Sequence, residues 1–200
     1  TVRGVTRFYV SMPAFASLKL PIPPLEVQCE IVRLLDSFTE LTAELTAELT
    51  AELTARKKQY EYYRNSLLSI NNHLGQSCKI GDLVLIRRGV RVVRNQLSNI
   101  DGHPVFQNSL VPLGYYEKAN CKANTAFIIG AGAAGEVGFS ENEMWAADDC
   151  YYFVCPETLH DRYLYHFLKT KADYLYSRVR RGSVPRISRT DIEKIEIVVP

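Results

Sequence analysis

The stretch from residue 25 to about residue 70 constrains the fold more than any other part of the sequence, because it contains no glycine and no proline. Pro23 and Pro24 stand at its start, where a helix tolerates missing N–H groups, and acidic side chains in the first turns suit the positive end of a helix dipole. We predict one continuous helix that stops near Gly75 and is roughly 70 Å long. A helix of that length cannot bury an apolar stripe against itself, so it needs a partner helix.

The tetrapeptide Thr-Ala-Glu-Leu occurs three times in a row within this stretch, over residues 42–53. Four-residue spacing keeps the leucines near one face but lets them drift by about 40° per repeat, which makes a poor long coiled-coil seam. We interpret the repeats as an insert that lengthens the rod by about 6 Å per unit. The side chains predicted to mediate helix pairing are Leu34, Leu41, Leu45, Leu49, Leu53, Tyr60 and Leu67.

The order of charges along the helix favours an antiparallel pair. Glutamates at every fourth position from Glu40 to Glu52 precede a basic block at residues 56–58. In an antiparallel pair centred near Glu48, the acidic block of one helix would face the basic block of the other. An ordinary solvated charged face is the alternative interpretation.

A second repeat links the two ends of the chain, since residues 3–23 resemble residues 181–200. With a one-residue gap in the alignment, Arg3-Gly4 matches Arg181-Gly182 and Val10-Ser11 matches Ile187-Ser188. The later matches are Phe15, Leu18, Leu20, Ile22 and Pro23 with Ile192, Ile195, Ile197, Val199 and Pro200. We therefore predict that residues 1–23 are the tail of one domain, that residues 24–72 form the long helix, and that residues 73–200 form a whole second domain.

The domain at residues 73–200 holds ten of the eleven glycines and short apolar runs between turns, a pattern typical of β-rich structure. Predicted strands cover residues 82–86, 126–129 and 150–154. A predicted helix covers residues 160–176, and the chain closes with a turn of helix and a strand. The expected class is α+β: a long helix that forms antiparallel pairs, followed by an α/β domain with a mainly β core.

Two arginine clusters are the main functional signal in this domain. The chain carries 24 basic and 22 acidic residues, so the distribution of charge matters more than its sum. The first cluster is Arg87, Arg88, Arg91 and Arg94; the second is Arg178, Arg180, Arg181 and Arg186. Arginines this dense, with no local acids, suit phosphate groups and guanine edges. A solvated surface loop is the alternative for either cluster alone, but two clusters in one domain favour DNA.

A third candidate segment, Gln107-Asn108-Ser109, supplies amides that can hydrogen-bond adenine edges. We add Lys118 to the expected DNA contacts. A polar turn without a ligand is the alternative for this segment.

Two further motifs invite enzymatic interpretations that we consider weaker. Residues 130–135 carry a G-x-G-x-x-G pattern, but no Lys-Ser/Thr follows, and Gly138 interrupts any helix that could receive a phosphate. A tight turn close to DNA or to another loop is the preferred interpretation. Asp148 and Asp149 lack a convincingly spaced Lys or Glu partner for a nuclease site, and Asp149 is expected to be a structural hydrogen-bond acceptor.

The five cysteines are scattered without C-x-x-C spacing, so neither a zinc site nor a disulfide framework is expected. Reduced thiols in a cytoplasmic protein fit this pattern. No run of about 18 apolar residues is present, so no membrane span is expected.

The Thr-Ala-Glu-Leu repeats, in a helix entered through residues 20–28, resemble the central conserved region of type I restriction–modification specificity subunits, and the repeats resemble those of the type IC group. Further segments resemble the scaffold motifs of the target-recognition domains in that family: residues 104–109, 114–116, 123–125 and 145–149. Residues 181–200 resemble the closing segment of such a domain.

The resemblance implies a non-catalytic subunit that reads double-stranded DNA. In the family, two recognition domains joined by antiparallel helices each read half of a split site. Methyltransferase subunits, which use S-adenosylmethionine, bind this subunit, and motor–endonuclease subunits join the complex. No cofactor is then expected in this chain itself. This chain has one helix and one whole domain, so we expect a half-subunit that dimerises through residues 25–70. The alternative is a coiled-coil assembly scaffold with a protein-binding β-rich domain; a nucleotide-dependent enzyme ranks third.

Overall fold

The computed structural model describes residues 2–3, 9–19, 21–70 and 76–199. Contacts divide the chain into two compact units, Thr1–Lys57 and Lys58–Pro200. The division falls inside the long helix. The predicted helix stop near Gly75 lies outside the described residues.

The long helix α2 spans Leu25–Ile70, 46 residues, as predicted. Its start is held by Gln28, whose side-chain amide donates to the Pro23 carbonyl at 2.7 Å. In the repeats each threonine hydroxyl donates to the carbonyl four residues earlier, as Thr46 does to Thr42 at 2.7 Å, so these polar groups are satisfied within the helix. The repeat leucines stay exposed; Leu45 and Leu49 are each 56% accessible.

The domain after the helix is built on a four-stranded antiparallel sheet with the strand order β4-β10-β7-β8. Its strands are β4 (Leu85–Arg88), β7 (Thr125–Ile129), β8 (Val137–Ser140) and β10 (Cys150–Val154). A second sheet has the order β6-β5-β9, formed by β5 (His103–Phe106), β6 (Gly114–Tyr116) and β9 (Trp145–Ala146). Strands β3 (Gln76–Lys79) and β11 (Glu196–Val199) form a third, antiparallel pair.

Helices cover one face of the four-stranded sheet. They are α4 (Asp161–Thr170), α5 (Ala172–Arg178), the short α3 (Ile80–Leu83) and α6 (Arg189–Glu193). Leu164, Leu168 and Leu175 are fully buried against Ile128 and Phe153. The opposite face of the sheet packs Phe127, Ile129 and Tyr152 against Phe106 and Met144, which forms a second apolar cluster. The mainly β core of the α+β prediction is confirmed.

Two predicted elements differ from the structure. The strand expected at residues 82–86 begins only at Leu85, because Ile80–Leu83 forms a helical turn that points Ile80 and Val84 into the core together. The helix expected at residues 160–176 breaks at Lys171, whose N–H bonds back to the Leu168 carbonyl at 3.0 Å. The break starts a separate helix, α5, on which Leu175 is buried.

The repeat between the chain ends is also a repeat of local structure. Near the N-terminus, β1 (Val2–Arg3) pairs with β2 (Tyr9–Val10), and Ser11 caps the five-residue α1 (Met12–Ala16). Near the C-terminus, Arg180 pairs with Arg186 and Ser188 caps the five-residue α6. Equivalent apolar positions differ in burial, since Phe15 is 63% exposed whereas Ile192 is 0% exposed. The N-terminal copy therefore exposes the surface that its counterpart buries.

Candidate nucleic-acid interface

A turn at residues 130–136, which we term the glycine turn, connects β7 to β8. Gly132 has φ +88°, and a Cβ there would lie 2.7 Å from the Asn108 carbonyl oxygen, so only glycine fits without strain. The Ala133 N–H donates to that same oxygen at 2.9 Å, and the Gly132 N–H donates to the Pro185 carbonyl at 3.1 Å. The glycine turn is thus held by hydrogen bonds to two other segments of the chain. A strand rather than a helix follows the turn.

Three arginines of the second cluster, Arg180, Arg181 and Arg186, lie on a β-hairpin at residues 179–187, the arginine hairpin, whereas Arg178 is the last residue of α5. Arg180 N–H donates to the Arg186 carbonyl at 2.8 Å, and Arg186 N–H donates to the Arg180 carbonyl at 3.1 Å. The Ile187 N–H joins the hairpin to the Gly130 carbonyl at 3.0 Å. Residues 181–184 at the tip are exposed. The hairpin therefore has a fixed base and an open tip.

Two tyrosines of α5 support arginines of this cluster. The Arg178 guanidinium lies 5.0 Å from the Tyr174 ring centre, and the Arg181 guanidinium lies 5.1 Å from the Tyr176 ring centre. Stacking of this kind restrains arginine side chains that would otherwise be mobile. Tyr176 and Arg181 line a cleft of about 510 Å³ beside the glycine turn. These tyrosines were not predicted, although the i,i+4 spacing of Tyr174 and Arg178 on a helix was a usable signal.

The first arginine cluster divides between two faces of the sheet. Strand β4 pairs with β10, where Arg88 lies opposite Tyr151 and Arg87 lies opposite Tyr152. Because Arg87 and Arg88 are consecutive in a strand, their side chains leave opposite faces of the sheet. Arg88 Nε donates to the Asp148 carbonyl at 2.7 Å, and the adjacent Asp149 carbonyl accepts the Gly130 N–H at 2.6 Å. Arg88 is therefore tied to the glycine turn.

Arg87 instead lines a separate cleft of about 280 Å³ together with Lys122 and Asp161. Arg91 and Arg94 are exposed, and Arg94 begins a 3₁₀ turn at Arg94–Gln96. Lys118 lies in the loop after β6, 3.6 Å from the carboxylate of its neighbour Glu117. The structure ties none of these four side chains to the glycine turn through a described hydrogen bond.

The amide segment reaches the glycine turn through its backbone. Asn108 is exposed and lies directly against Gly132, whereas Gln107 is half-buried and its carbonyl accepts from the Cys150 thiol at 3.1 Å. The Ser109 hydroxyl donates to the Val111 carbonyl at 3.1 Å, which closes a local turn. Asn108, Arg186 and Arg88 are thus brought together, from three distant parts of the sequence.

Asp148 and Asp149 form hydrogen bonds through their backbone carbonyl groups. The Asp148 carbonyl accepts from Arg88 and the Asp149 carbonyl accepts from Gly130, whereas Asp148 Oδ1 is buried without a described partner. The expected acceptor role of Asp149 therefore falls on its carbonyl. Among the described residues, no group of His, Cys, Asp and Glu side chains is arranged to hold a metal ion.

The buried cysteines have structural surroundings. Burial raises the pKa of the Cys121 thiol to about 12, and burial together with the nearby Asp149 carboxylate raises the pKa of Cys150 well above its usual range. All five thiols are free. In the part of the chain that the structure describes, no helix is both long and apolar enough to cross a membrane.

Comparison with known proteins gives a consistent picture. The family model described as the type I restriction modification DNA specificity domain matches residues 1–55 and 75–200. A putative type I restriction enzyme specificity subunit of Haemophilus influenzae is 31% identical over 217 residues, with 98% of this chain and 55% of that protein covered. The EcoR124I/EcoR124II specificity subunit of Escherichia coli is 55% identical over 62 residues, covering 28% of this chain and 14% of that protein.

The fold is similar to that of a solved type I restriction–modification S subunit from M. genitalium, with a TM-score of 0.57 at 17% identity over 61% of this chain and 33% of that one. The chain spans about half the length of the Haemophilus relative. Because the family model covers most of its residues, the chain belongs to the type I restriction modification DNA specificity domain family.

Proposed function

We propose that this chain is the sequence-reading part of a type I restriction–modification specificity subunit, and that residues 73–200 read one half of a bipartite site in double-stranded DNA. The observation that carries the proposal is that three distant segments meet at the glycine turn. Hydrogen bonds and close packing hold Asn108, the arginine hairpin and Arg88 around this one backbone element. A scaffold that fixes amide and guanidinium groups side by side suits DNA, because amides read base edges and arginines hold phosphates.

The matched family is one of DNA specificity, and the relatives are named specificity subunits, which agrees with the prediction that this chain is not itself an enzyme. Adenine methylation with S-adenosylmethionine would belong to partner methyltransferase subunits, and cleavage to motor–endonuclease subunits. The Thr-Ala-Glu-Leu repeats support assignment to the type IC group.

The α2 helix would set the distance between half-sites and provide the pairing surface. Its exposed leucines support a homodimer in which a second copy supplies the antiparallel partner helix and makes the recognised site symmetric. The same exposed stripe is what favours the competing assembly-scaffold function.

DNA binding separates the two functions. Fluorescence anisotropy with a labelled duplex, measured over a series of salt concentrations, should give an affinity that falls with a log–log slope of about −0.9 per phosphate neutralised. Absence of duplex binding, or binding that is insensitive to salt, would contradict DNA recognition and favour the scaffold.

A further inference from the structure

The arginine hairpin contains an arrangement that is unfavourable for the protein alone. Arg180 and Arg186 exchange two backbone hydrogen bonds, of 2.8 and 3.1 Å, so they stand directly opposite each other and their side chains leave the same face. Like charges in directly opposed positions repel each other. Within the described residues neither guanidinium forms an ion pair, and both residues are at least partly exposed.

The hairpin frame itself does not require two arginines. The N-terminal copy of the hairpin pairs Val2 with Val10 and Arg3 with Tyr9, so neither of its pairs opposes two arginines, and it is followed by a serine cap and a five-residue helix as well. The doubled charge is therefore a feature of this hairpin in particular. A repulsion that folding does not need points to an anionic ligand that relieves it.

The pair is also held rigidly at the surface. The Gly132 N–H and the Gly130 carbonyl bind the strand of Arg186 on both sides of it, through Pro185 and Ile187. Beyond the pair, the tip is open, and a Cβ at Gly182 would meet nothing within 4 Å. An extended anion can thus approach both guanidinium groups without displacing protein.

We propose that Arg180 and Arg186 form a clamp for the phosphate backbone of duplex DNA, and that this clamp sets the position of the domain without reading base identity. The inference rests on the proposed DNA-reading function and assigns one part of it. Two guanidinium groups on adjacent strands can bracket one phosphate or hold two neighbouring phosphates, each through charge-assisted hydrogen bonds. Contacts of this kind fix register and orientation, while base contacts supply specificity.

The test compares duplex binding of the full chain with that of R180A/R186A, over a salt series, on two duplexes of unrelated sequence. The variant should bind both duplexes more weakly, by roughly tenfold or more at low salt. Its salt slope should be shallower by about 0.9 for each phosphate that it no longer neutralises. R180K/R186K, which keeps both charges, should retain the slope.

The matched control is R162A/R189A, which also removes two arginines. Each of these is neutralised by an acid in the structure, Arg162 by Glu141 and Arg189 by Glu193 at 2.7 Å. The control should leave the salt slope unchanged. Removing the repelling pair should leave the melting temperature of R180A/R186A unchanged or higher, so weaker binding would not reflect unfolding.

Three outcomes would overturn the clamp. An unchanged slope for R180A/R186A, with normal binding by the parent chain, would refute the clamp alone and leave DNA recognition standing. Weaker binding to only one of the two duplexes would identify the pair as base readers. If the parent chain binds no duplex, the proposed function fails and the clamp fails with it.

Discussion

Gly132 is the residue on which the interface geometry depends most. Its left-handed φ and its closeness to the Asn108 carbonyl leave no room for a side chain. Through its N–H it also holds the arginine hairpin at Pro185. One residue therefore fixes the spacing between the amide segment and the arginines.

Replacing Gly132 with alanine should lower the free energy of unfolding by about 1–3 kcal/mol, because a side chain at this φ is strained and its Cβ meets Asn108. Urea denaturation measures the change. Gly182→Ala is the matched control and should be nearly neutral, since its Cβ would meet open space. Equal stability of the two variants would contradict the role given to Gly132.

At the scale of single residues, the sequence predicted which types of side chain belong to the candidate interface better than it predicted where those side chains lie. The arginine clusters stand out in the sequence because several arginines fall within a short segment. Arg87 and Arg88 nevertheless leave opposite faces of β4, and what each side chain meets there depends on the pairing of β4 with β10. The contacts of Gly132 with Asn108 and Pro185 join positions far apart in the chain. Local pattern carries no information about such pairs.

At the scale of elements, α2 is the part that the sequence predicted most completely. Absence of glycine and proline over 46 residues leaves few alternatives to a helix, whereas the shorter helices and strands depend on tertiary packing. The turn at Ile80–Leu83 illustrates this, since only the core shows that Ile80 and Val84 face inward together.

Substituting Leu45 and Leu49 with lysine should break helix pairing, because two charges would enter an apolar seam at a cost on the order of several kcal/mol. Light scattering should change from a mass near twice 22.7 kDa to the mass of one chain. Lysines at Ala47 and Ala51, on the opposite side of the helix, should leave the dimer intact. A parent chain that is monomeric at tens of micromolar would contradict the dimer itself.

The end of α2 is joined to α4 by a hydrogen bond that responds to pH. Tyr60 Oη lies 3.0 Å from His166 Nδ1, and burial, then the charges of Arg162 and Arg64, lower the pKa of His166 below its usual value of 6.5. The folded state therefore favours the neutral ring, and the unfolded state binds more protons as the pH falls below about 6.5.

We expect the parent chain to lose thermal stability as the pH falls from about 7.5 to 5.5, through the pKa of the unfolded state. Scanning calorimetry should show a smaller loss for His166→Gln, which cannot be protonated. An identical pH dependence in the parent and in His166→Gln would show that this contact does not contribute.

At the scale of the whole molecule, the proposed function joins one DNA-reading domain to one pairing helix. The α+β class and the long helix followed from the sequence alone, because periodicity and glycine distribution are local signals. The convergence on the glycine turn did not, because it arises from the order of strands in the sheet and from the return of the chain after α5.

The most direct measurement is the methylation pattern of genomic DNA from a host that expresses this chain together with its type I methyltransferase subunit. We predict new adenine methylation in one split motif with symmetric halves, because two copies of the same domain would read it. R180A/R186A should reduce the level of methylation without changing the motif. No new methylated motif, although the chain and the methyltransferase form a complex, would contradict the claim that this chain reads DNA sequence.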